Sequence, residues 1–258
     1  MAAVVRELVD LLWRDHPAAP PGGGRGPRSK VSTSQAVEAA LRIADVDGLG
    51  AVTLRRLGAT LGIAPNAVYT HVGSRDDLLV LMTDAVRARQ PLAHHTGATW
   101  RDRVRQVADD ELALFLAHPW LLDVTDQRTA FGPGTIAVYD HQLHALDGTG
   151  LGDVDRDAAL TLVLDLARAS ARARLPDPRN AQIAAVWAAW HARLGEYVGD
   201  RYPLARRVGA AAGAAMDAPS SPEHAWRFGL DRVLDALDVL VRGADVGPGH
   251  TPSDAPTP

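Results

Sequence analysis

The chain of 258 residues has no cysteine, which excludes disulfides, thiolate metal sites and a cysteine nucleophile. It also lacks any uninterrupted apolar run of about 18 residues, so we expect no membrane-spanning helix. Residues 2–13 include Arg6, Glu7 and Asp10 and are too polar for the core of a signal peptide. The lack of cysteine suits a reducing compartment, and together these features predict a cytoplasmic protein.

The motifs of common enzyme classes are also missing. The sequence has no Gly-rich phosphate loop of the Walker or Rossmann type and no nucleophile elbow, and its histidines are scattered. The run Gly22–Gly24 is typical of a linker rather than of a phosphate cradle. We therefore expect neither catalysis nor a cofactor.

Acidic side chains are absent from residues 48–75, although the chain holds 31 of them and has a net charge of −4. Residues 22–90 hold nine Lys and Arg against six Asp and Glu, whereas residues 91–258 hold 16 against 22. Basic charge confined to one part of an acidic chain favours contact with a polyanion there. The basic side chains of the acid-free segment are Arg55, Arg56, His71 and Arg75.

The acid-free segment has the spacing of a helix-turn-helix. Gly58 supplies the small residue needed where two helices cross, Gly62 can turn the chain with a positive φ, and Val68 can anchor the second helix. Pro65 fits the first turn of that helix, where a missing N–H costs nothing. The pattern predicts a recognition helix from about Pro65 to His71, the element that enters a DNA major groove.

Capping residues delimit the neighbouring helices. Thr53 is a suitable N-cap for the first helix of the motif, and Ser74 with Asp77 resembles a capping box for the next helix. Upstream, Ser32 and Gln35 cap another helix. The two flanking helices carry apolar residues at i, i+3, i+4 and i+7, which predicts a shared small core. These are Val37, Ala40, Leu41 and Ala44 upstream and Leu78, Leu81, Met82 and Ala85 downstream.

The segment ADVDGLGAVTLRRLGATLGIAPNAVYTHVGSRDDLLVLMTDAV resembles the DNA-binding domain of the tetracycline-repressor (TetR) family of bacterial regulators. The resemblance extends from about residue 8 to residue 242. Residues 11–13, before a Pro/Gly/Arg linker, are similar to the N-terminal extension of one branch of that family. Softer landmarks of the same branch are WRDR at 100–103, HPWLL at 118–122, Gly132-Pro133 and FGLD at 228–231.

The resemblance implies DNA contacts in and around the recognition helix. Tyr69 and His71 correspond to the aromatic and histidine that brace the phosphate backbone, with packing between helices as the alternative for both. Thr53, Arg55 and Arg75 suit phosphates or a nearby guanine. The residues that reach base edges are Ala64, Pro65, Asn66 and Thr70.

Base recognition depends on few side chains. The amide of Asn66 can pair bidentately with adenine, and Ala67 or Pro65 can touch a thymine methyl. Because Ala64 and Ala67 are small, we expect much of the specificity to come from DNA shape.

The fold is predicted to be all-α, with an N-terminal three-helix DNA-binding domain and a C-terminal helical ligand-binding and dimerisation domain. Beyond the motif we expect helices near 99–117, 120–128, 134–146, 155–174, 178–200 and 222–243. The predicted parts are an N-terminal extension and flexible linker (1–29), the helix-turn-helix domain (30–76), the helical body (77–243) and a disordered tail (244–258). In the linker, Arg25, Arg28 and Lys30 either follow DNA phosphates or are merely solvated.

Dimerisation is predicted from two helices that are apolar on more than one side. The 155–174 helix has one stripe with Leu160 and Val163 and a second with Leu162 and Leu166, so both sides need burial. In the TetR family the corresponding helix and the last helix form a four-helix interface with their symmetry mates. The resemblance therefore implies a homodimer that binds a palindromic operator in double-stranded DNA.

A pocket for an unknown small-molecule effector is expected among the helices that lie between the DNA-binding domain and the dimer face. Its candidate lining residues are Trp100, Phe115, Trp120, Tyr139 and Asp165, with ordinary core packing as the alternative for each. His141 and His144 have possible metal spacing, although such helical pairs are usually surface residues. Asp165, Arg168 and Arg172 form either an ion pair at the dimer face, which we favour, or a clamp for an acidic ligand.

The preferred interpretation is a ligand-responsive transcriptional regulator, most simply a homodimeric repressor released by a small molecule. Two alternatives stay open on the sequence. One is a helical-bundle enzyme with an appended nucleic-acid module. The other is an architectural DNA-binding protein without a ligand, which a body of about 150 residues argues against because a dimerisation device alone needs less chain.

Overall fold

A computed structural model describes residues 7–19, 31–176, 182–216 and 221–245, and no strand occurs within these ranges. The all-α prediction is confirmed. The helices are α1 (Leu8–Leu12), α2 (Thr33–Asp47), α3 (Leu54–Leu61), α4 (Pro65–Val72), α5 (Arg75–Arg87), α6 (Trp100–Ala117), α7 (Pro133–Leu143), α8 (Asp153–Arg174), α9 (Ile183–Val198), α10 (Pro203–Met216) and α11 (Pro222–Asp245). Short 3₁₀ helices cover Leu49–Ala51, Pro119–Asp123, Gln127–Phe131 and His144–Leu146.

The DNA-binding unit consists of α2, α3 and α4 packed on the first part of α5. Leu57 of α3, Val68 of α4 and Leu78 of α5 are almost wholly buried and share one core with Leu41 of α2. Each comes from an apolar stripe repeating at three and four residues, so the stripes meet and leave the polar faces outside. The predicted division between 76 and 77 falls within the first turn of α5, which therefore belongs to both parts.

The body is a helical bundle built around α8. One side of α8 packs against α6 and another against α11, while α5 packs against α7. Leu160, Val163 and Ala167 of α8 are buried, as are Leu230 and Leu234 of α11. In the described part of the chain, no helix combines the length and apolar character needed to cross a membrane.

The N-terminal extension is folded where it is described. Leu11 and Leu12 of α1 are buried against α5, and the Trp13 indole donates a 2.9 Å hydrogen bond to the Phe131 carbonyl. Arg14, predicted to begin the linker, instead donates to Ser34 of α2 at 3.1 Å. The remaining predicted linker from residue 20, with Arg25, Arg28 and Lys30, lies outside the described residues, as does the tail from residue 246.

One helix prediction was wrong, and one helix was not predicted. The single helix expected over 120–128 is two 3₁₀ helices, because the Asp126 side chain accepts a 2.9 Å hydrogen bond from the Arg128 N–H and caps a new turn. The helix α10 was missed because its Ala- and Gly-rich sequence holds few large apolar residues, although alanine favours helix strongly. The start of the predicted helix 178–200 lies outside the described residues, and α9 itself spans Ile183–Val198.

Candidate nucleic-acid interface and effector cavity

The two helices of the motif cross at Gly58. A Cβ on this residue would lie 2.8 Å from the Ile63 carbonyl oxygen and 3.1 Å from the Pro65 Cα. Any larger residue therefore pushes the start of α4 away from α3. The predicted role of Gly58 as the small residue at the crossing is confirmed.

The turn and the caps follow the sequence prediction. Gly62 has a φ of 67° and ends α3 in the left-handed conformation. The Thr53 hydroxyl accepts from the Arg56 N–H at 3.2 Å, and Pro65 is the first residue of α4. Ser74 and Asp77 form the reciprocal capping box that begins α5.

The outer face of α4 is polar and accessible, whereas its inner face is fixed. Val68 and Val72 are fully buried, which anchors the helix on α2 and α3. Asn66 and Tyr69 project outwards and are exposed, with 44% of Tyr69 accessible. The Thr70 hydroxyl is also exposed but donates its hydrogen to the Ala67 carbonyl at 2.7 Å. Towards a base, Thr70 can therefore act as an acceptor.

Basic side chains flank this face. Arg55 near the start of α3 and Arg75 at the start of α5 are exposed, and neither pairs with a carboxylate among the described residues. Arg56, in contrast, is paired with Asp47. The His71 carbonyl accepts a 2.7 Å hydrogen bond from the Thr33 hydroxyl, so the end of α4 is tied to α2.

All ten sequence-predicted DNA contacts remain accessible. None of them is buried, and only Ala67 and His71 are partly covered. The ten are Thr53, Arg55, Ala64, Pro65, Asn66, Ala67, Tyr69, Thr70, His71 and Arg75. Their individual DNA contacts stay predictions, but a rigid helix that offers donors and acceptors beside unpaired cations can bind a DNA groove.

The five predicted effector contacts do not meet in one place. Phe115 is 2% exposed within the core, and the guanidinium of Arg168 lies 4.9 Å from its ring centre. The buried indole of Trp120 donates to Asp45 at 2.7 Å and so points towards α2. Trp100 is half-buried at the start of α6. These positions agree with the packing alternative left open by the sequence, and an effector contact of the three residues stays a prediction.

Tyr139 and Asp165 are exposed side chains. The Tyr139 hydroxyl donates to Asp157 at 2.7 Å, which links α7 to α8. Within the described protomer, Asp165 forms no ion pair with Arg168 or Arg172. Arg168 lies over the Phe115 ring, and Arg172 donates to the Leu122 carbonyl at 2.6 Å and to Asp123 at 3.2 Å. The spacing of residues along α8 could not predict these partners of Arg172, because Leu122 and Asp123 belong to the 3₁₀ helix Pro119–Asp123.

His141 of α7 and His144 at the start of the following 3₁₀ helix each contact another side chain. His144 Nδ1 lies 2.7 Å from Asp147, and this carboxylate raises the pKa of His144. The His141 ring stacks on His95 with 4.3 Å between ring centres. Within the described residues, no group of three or more His, Cys, Asp or Glu side chains is arranged to hold a metal ion.

A cavity of about 350 Å³ lies between the end of α5, the outer side of α6 and α7. Val86, Val107 and Val138 supply apolar wall from the three helices, and Asp110 and His141 supply polar groups. None of the five predicted effector contacts lines it. In the sequence, the available signal was the pair of charged residues Asp110 and Glu111 between Val107 and Leu114 on one face of a helix.

A second cavity of about 780 Å³ adjoins the first and shares Leu92 and His141 with it. Its wall is more polar and includes His94, His95 and Arg103. Together the two cavities form a groove along α7.

Two residues of the first cavity wall also bind the DNA-binding unit. Arg89 pairs with Glu38, and His118 Nδ1 lies 2.7 Å from Asp45 Oδ1. Glu38 and Asp45 are seven residues apart on α2, so they lie on the same side of that helix. Two side chains of the cavity wall, Arg89 and His118, therefore contact α2 directly.

A buried ion pair joins α5 to α6. Arg87 of α5 donates to both carboxylate oxygens of Glu111 on α6, at 2.5 and 2.6 Å. Glu111 is 1% exposed, and Gln142 of α7 approaches it to 3.5 Å. The pair compensates a charge that would otherwise be costly to bury, and it fixes α5 relative to α6.

Comparison with known proteins identifies the architecture. Residues 93–241 match the family described as "Tetracyclin repressor-like, C-terminal domain". Over 244 residues the chain is 30% identical to the HTH-type transcriptional repressor DrrR1 of Streptomyces coeruleorubidus, covering 92% of this chain and 87% of that protein.

Solved structures are similar over most of their length. The crystal structure of apo ActR from Streptomyces coelicolor has a TM-score of 0.68 and 24% identity, covering 84% of this chain and 99% of ActR. ActR in complex with actinorhodin has a TM-score of 0.63 and 25% identity, covering 87% of this chain and 100% of ActR. The predicted helix-turn-helix and the helical body thus have the arrangement of known regulators, and the chain belongs to the TetR family of DNA-binding transcriptional regulators.

Proposed function

We propose that the protein is a homodimeric repressor of the bacterial cytoplasm that binds a palindromic operator and is released by a small molecule. The main support is the outer face of α4, where Asn66 and Tyr69 are exposed. Beside this face lie Arg55 and Arg75, which pair with no carboxylate in the described part of the chain. Repression rather than activation is supported by DrrR1, whose name describes a repressor.

The dimer is supported by apolar surface on α8 and α11. Leu162 of α8 and Phe228 and Leu240 of α11 are about half exposed, although the opposite sides of both helices are buried. Large apolar side chains exposed on two helices that pack together suit a protein–protein contact. A two-fold contact through these helices brings two recognition helices to two half-sites of a palindrome.

Release by a small molecule is supported by the position of the 350 Å³ cavity. ActR was crystallised with actinorhodin, so a protein of this fold holds a small organic molecule. In the present chain, a molecule in the cavity contacts Arg89 and His118, which hold Glu38 and Asp45 of α2. Displacing either pair shifts α2 and the attached α4, and the ligand then favours a dimer with wrongly spaced recognition helices.

Selection from a random duplex library tests this function. Full-length protein at a fixed, stated salt concentration should enrich a two-fold symmetric sequence. The Tyr69→Ala variant should bind the selected DNA more weakly yet remain dimeric by light scattering, because Tyr69 lies on α4 away from α8 and α11. Recovery of no preferred sequence, with binding lost at moderate salt, would mean that the motif only binds phosphates.

A further inference from the structure

The cavity between α5, α6 and α7 is lined by one carboxylate, that of Asp110, which has no counter-ion among the described residues. Asp110 of α6 lines the cavity, and among the described residues it accepts no hydrogen bond and forms no ion pair. The preceding Asp109 adds a second negative charge nearby, and its own carboxylate accepts a 3.2 Å hydrogen bond from the Trp226 indole.

The basic side chains Arg89 and His118 of the wall already have other partners. Arg89 is paired with Glu38, and His118 lies 2.7 Å from Asp45. Both partners belong to α2, so these contacts hold the DNA-binding unit and do not balance Asp110. The unpaired formal charge of this cavity is therefore negative.

The neighbouring imidazoles of His95 and His141 lower the pKa of Asp110, but neither forms an ion pair with it among the described residues. Burial and the nearby His95 and His144 lower the pKa of His141, so its ring is neutral near neutral pH. Partial burial of the carboxyl and the charge of Asp109 raise the pKa of Asp110 more than His95 and His141 lower it, although the residue keeps access to solvent. A positively charged ligand group beside Asp110 would offset both the burial of its carboxylate and the repulsion from Asp109.

We propose, on the basis of the proposed function, that the effector of this cavity is a mostly apolar small molecule with a protonated amine, held by Asp110. The ammonium group donates to the Asp110 carboxylate, and the apolar body packs between Val86, Val107, Leu114 and Val138. A volume of about 350 Å³ is within the usual range for a small-molecule site. A carboxylate-bearing molecule is repelled by the same wall.

Three matched probes test the charge preference on full-length protein: 1-naphthylmethylammonium, 1-naphthalenemethanol and 1-naphthoate. They share one fluorescent ring system and differ in charge. The ammonium should bind about tenfold more tightly than the alcohol because a charge-assisted hydrogen bond replaces a neutral one. Naphthoate should bind most weakly.

Asp110→Asn should reduce the preference for the ammonium to within about twofold. Asp155→Asn, which removes the same charge from the exposed first turn of α8, should leave the preference intact. Equal or tighter binding of the alcohol or of naphthoate would overturn the proposal. So would survival of the preference in Asp110→Asn, or no saturable binding of the ammonium up to its solubility limit.

The selected operator separates this proposal from the proposed function. An ammonium preference that depends on Asp110, with unchanged operator affinity, would support the chemistry of the cavity and contradict release by its ligand. Release of the operator by the alcohol or by naphthoate, without such a preference, would support release and overturn the amine.

Discussion

Asp84, a buried residue of α5, accepts a 2.9 Å hydrogen bond from the backbone N–H of Thr135 in the first turn of α7. Gly132 and Gly134 make room for this contact, since a Cβ on Gly132 would lie 2.1 Å from the Asp84 carboxylate. The carboxylate thus caps a helix of the body from the helix that carries the DNA-binding unit.

We expect a specific pH dependence from Asp84. Burial raises the pKa of this carboxyl above its ordinary value of 3.8, more than its backbone hydrogen bonds lower it. A raised pKa in the folded state gives stability that is complete below 3.8 and is lost as the pH rises through the folded value. The free energy of unfolding of the wild type, relative to Asp84→Asn, should therefore fall as the pH rises above 3.8.

Urea unfolding of the two proteins across the acidic range measures this difference. Other carboxyls are present in both proteins and cancel. A constant difference across that range would mean that Asp84 has the same pKa in the folded and unfolded chain.

The crossing at Gly58 gives a second prediction. Gly58→Ala places a methyl group 2.8 Å from the Ile63 carbonyl oxygen, so α4 must shift relative to α3. We expect a stability loss of about 1–3 kcal/mol and weaker operator binding. Gly50→Ala is the matched control, because a Cβ there has no neighbour within 4 Å. Equal operator affinity of the two variants, measured by fluorescence anisotropy, would show that the crossing tolerates a methyl group.

The helix-turn-helix could be predicted from sequence because its geometry is determined locally. The positive φ of Gly62, the first-turn position of Pro65 and the Ser74–Asp77 capping box each depend on residues within a few positions. Family resemblance added the candidate DNA contacts, and local structure leaves all of them accessible.

The cavity could not be predicted in the same way. Its wall combines Val86 of α5, Asp110 of α6 and His141 of α7, and no sequence pattern gives the register between these helices. Aromatic residues were the natural candidates for a pocket, yet Phe115 and Trp120 are needed for core packing and for a contact with α2. Large apolar side chains stabilise a core strongly, so they are poor markers of a cavity.

Substitutions on the candidate DNA face can distinguish phosphate contacts from base contacts. Arg75→Gln should weaken binding to all sequences and reduce the slope of log K against log salt by about 1, because one phosphate contact is lost. Asn66→Ala should leave that slope unchanged but cost about 1–3 kcal/mol at one base position. Arg206→Gln on α10 is the charge-matched control for Arg75. Salt titrations on the selected operator and on a scrambled duplex distinguish the two roles, and identical profiles would contradict them.

The contact between Trp120 and Asp45 should contribute to the attachment of the DNA-binding unit to the body. Asp45→Ala leaves the buried Trp120 indole N–H without its 2.7 Å partner, which should cost about 1–3 kcal/mol. Trp120→Phe alone removes the donor, and the double variant should be less destabilised than the two single losses added together. Asp47→Asn is the control, because Asp47 pairs with Arg56 inside the DNA-binding unit.

Hydrogen exchange of α2 reports the same attachment directly. Amides of α2 should exchange faster in Asp45→Ala than in Asp47→Asn, because only the former loses a bond to the body. Equal exchange in both variants, together with additive unfolding energies for Asp45 and Trp120, would mean that the two side chains touch without holding the two parts together. If the double variant is instead less destabilised than the two single losses added together, the Asp45–Trp120 contact couples the two parts. A ligand beside His118 could then act on the recognition helix through this contact.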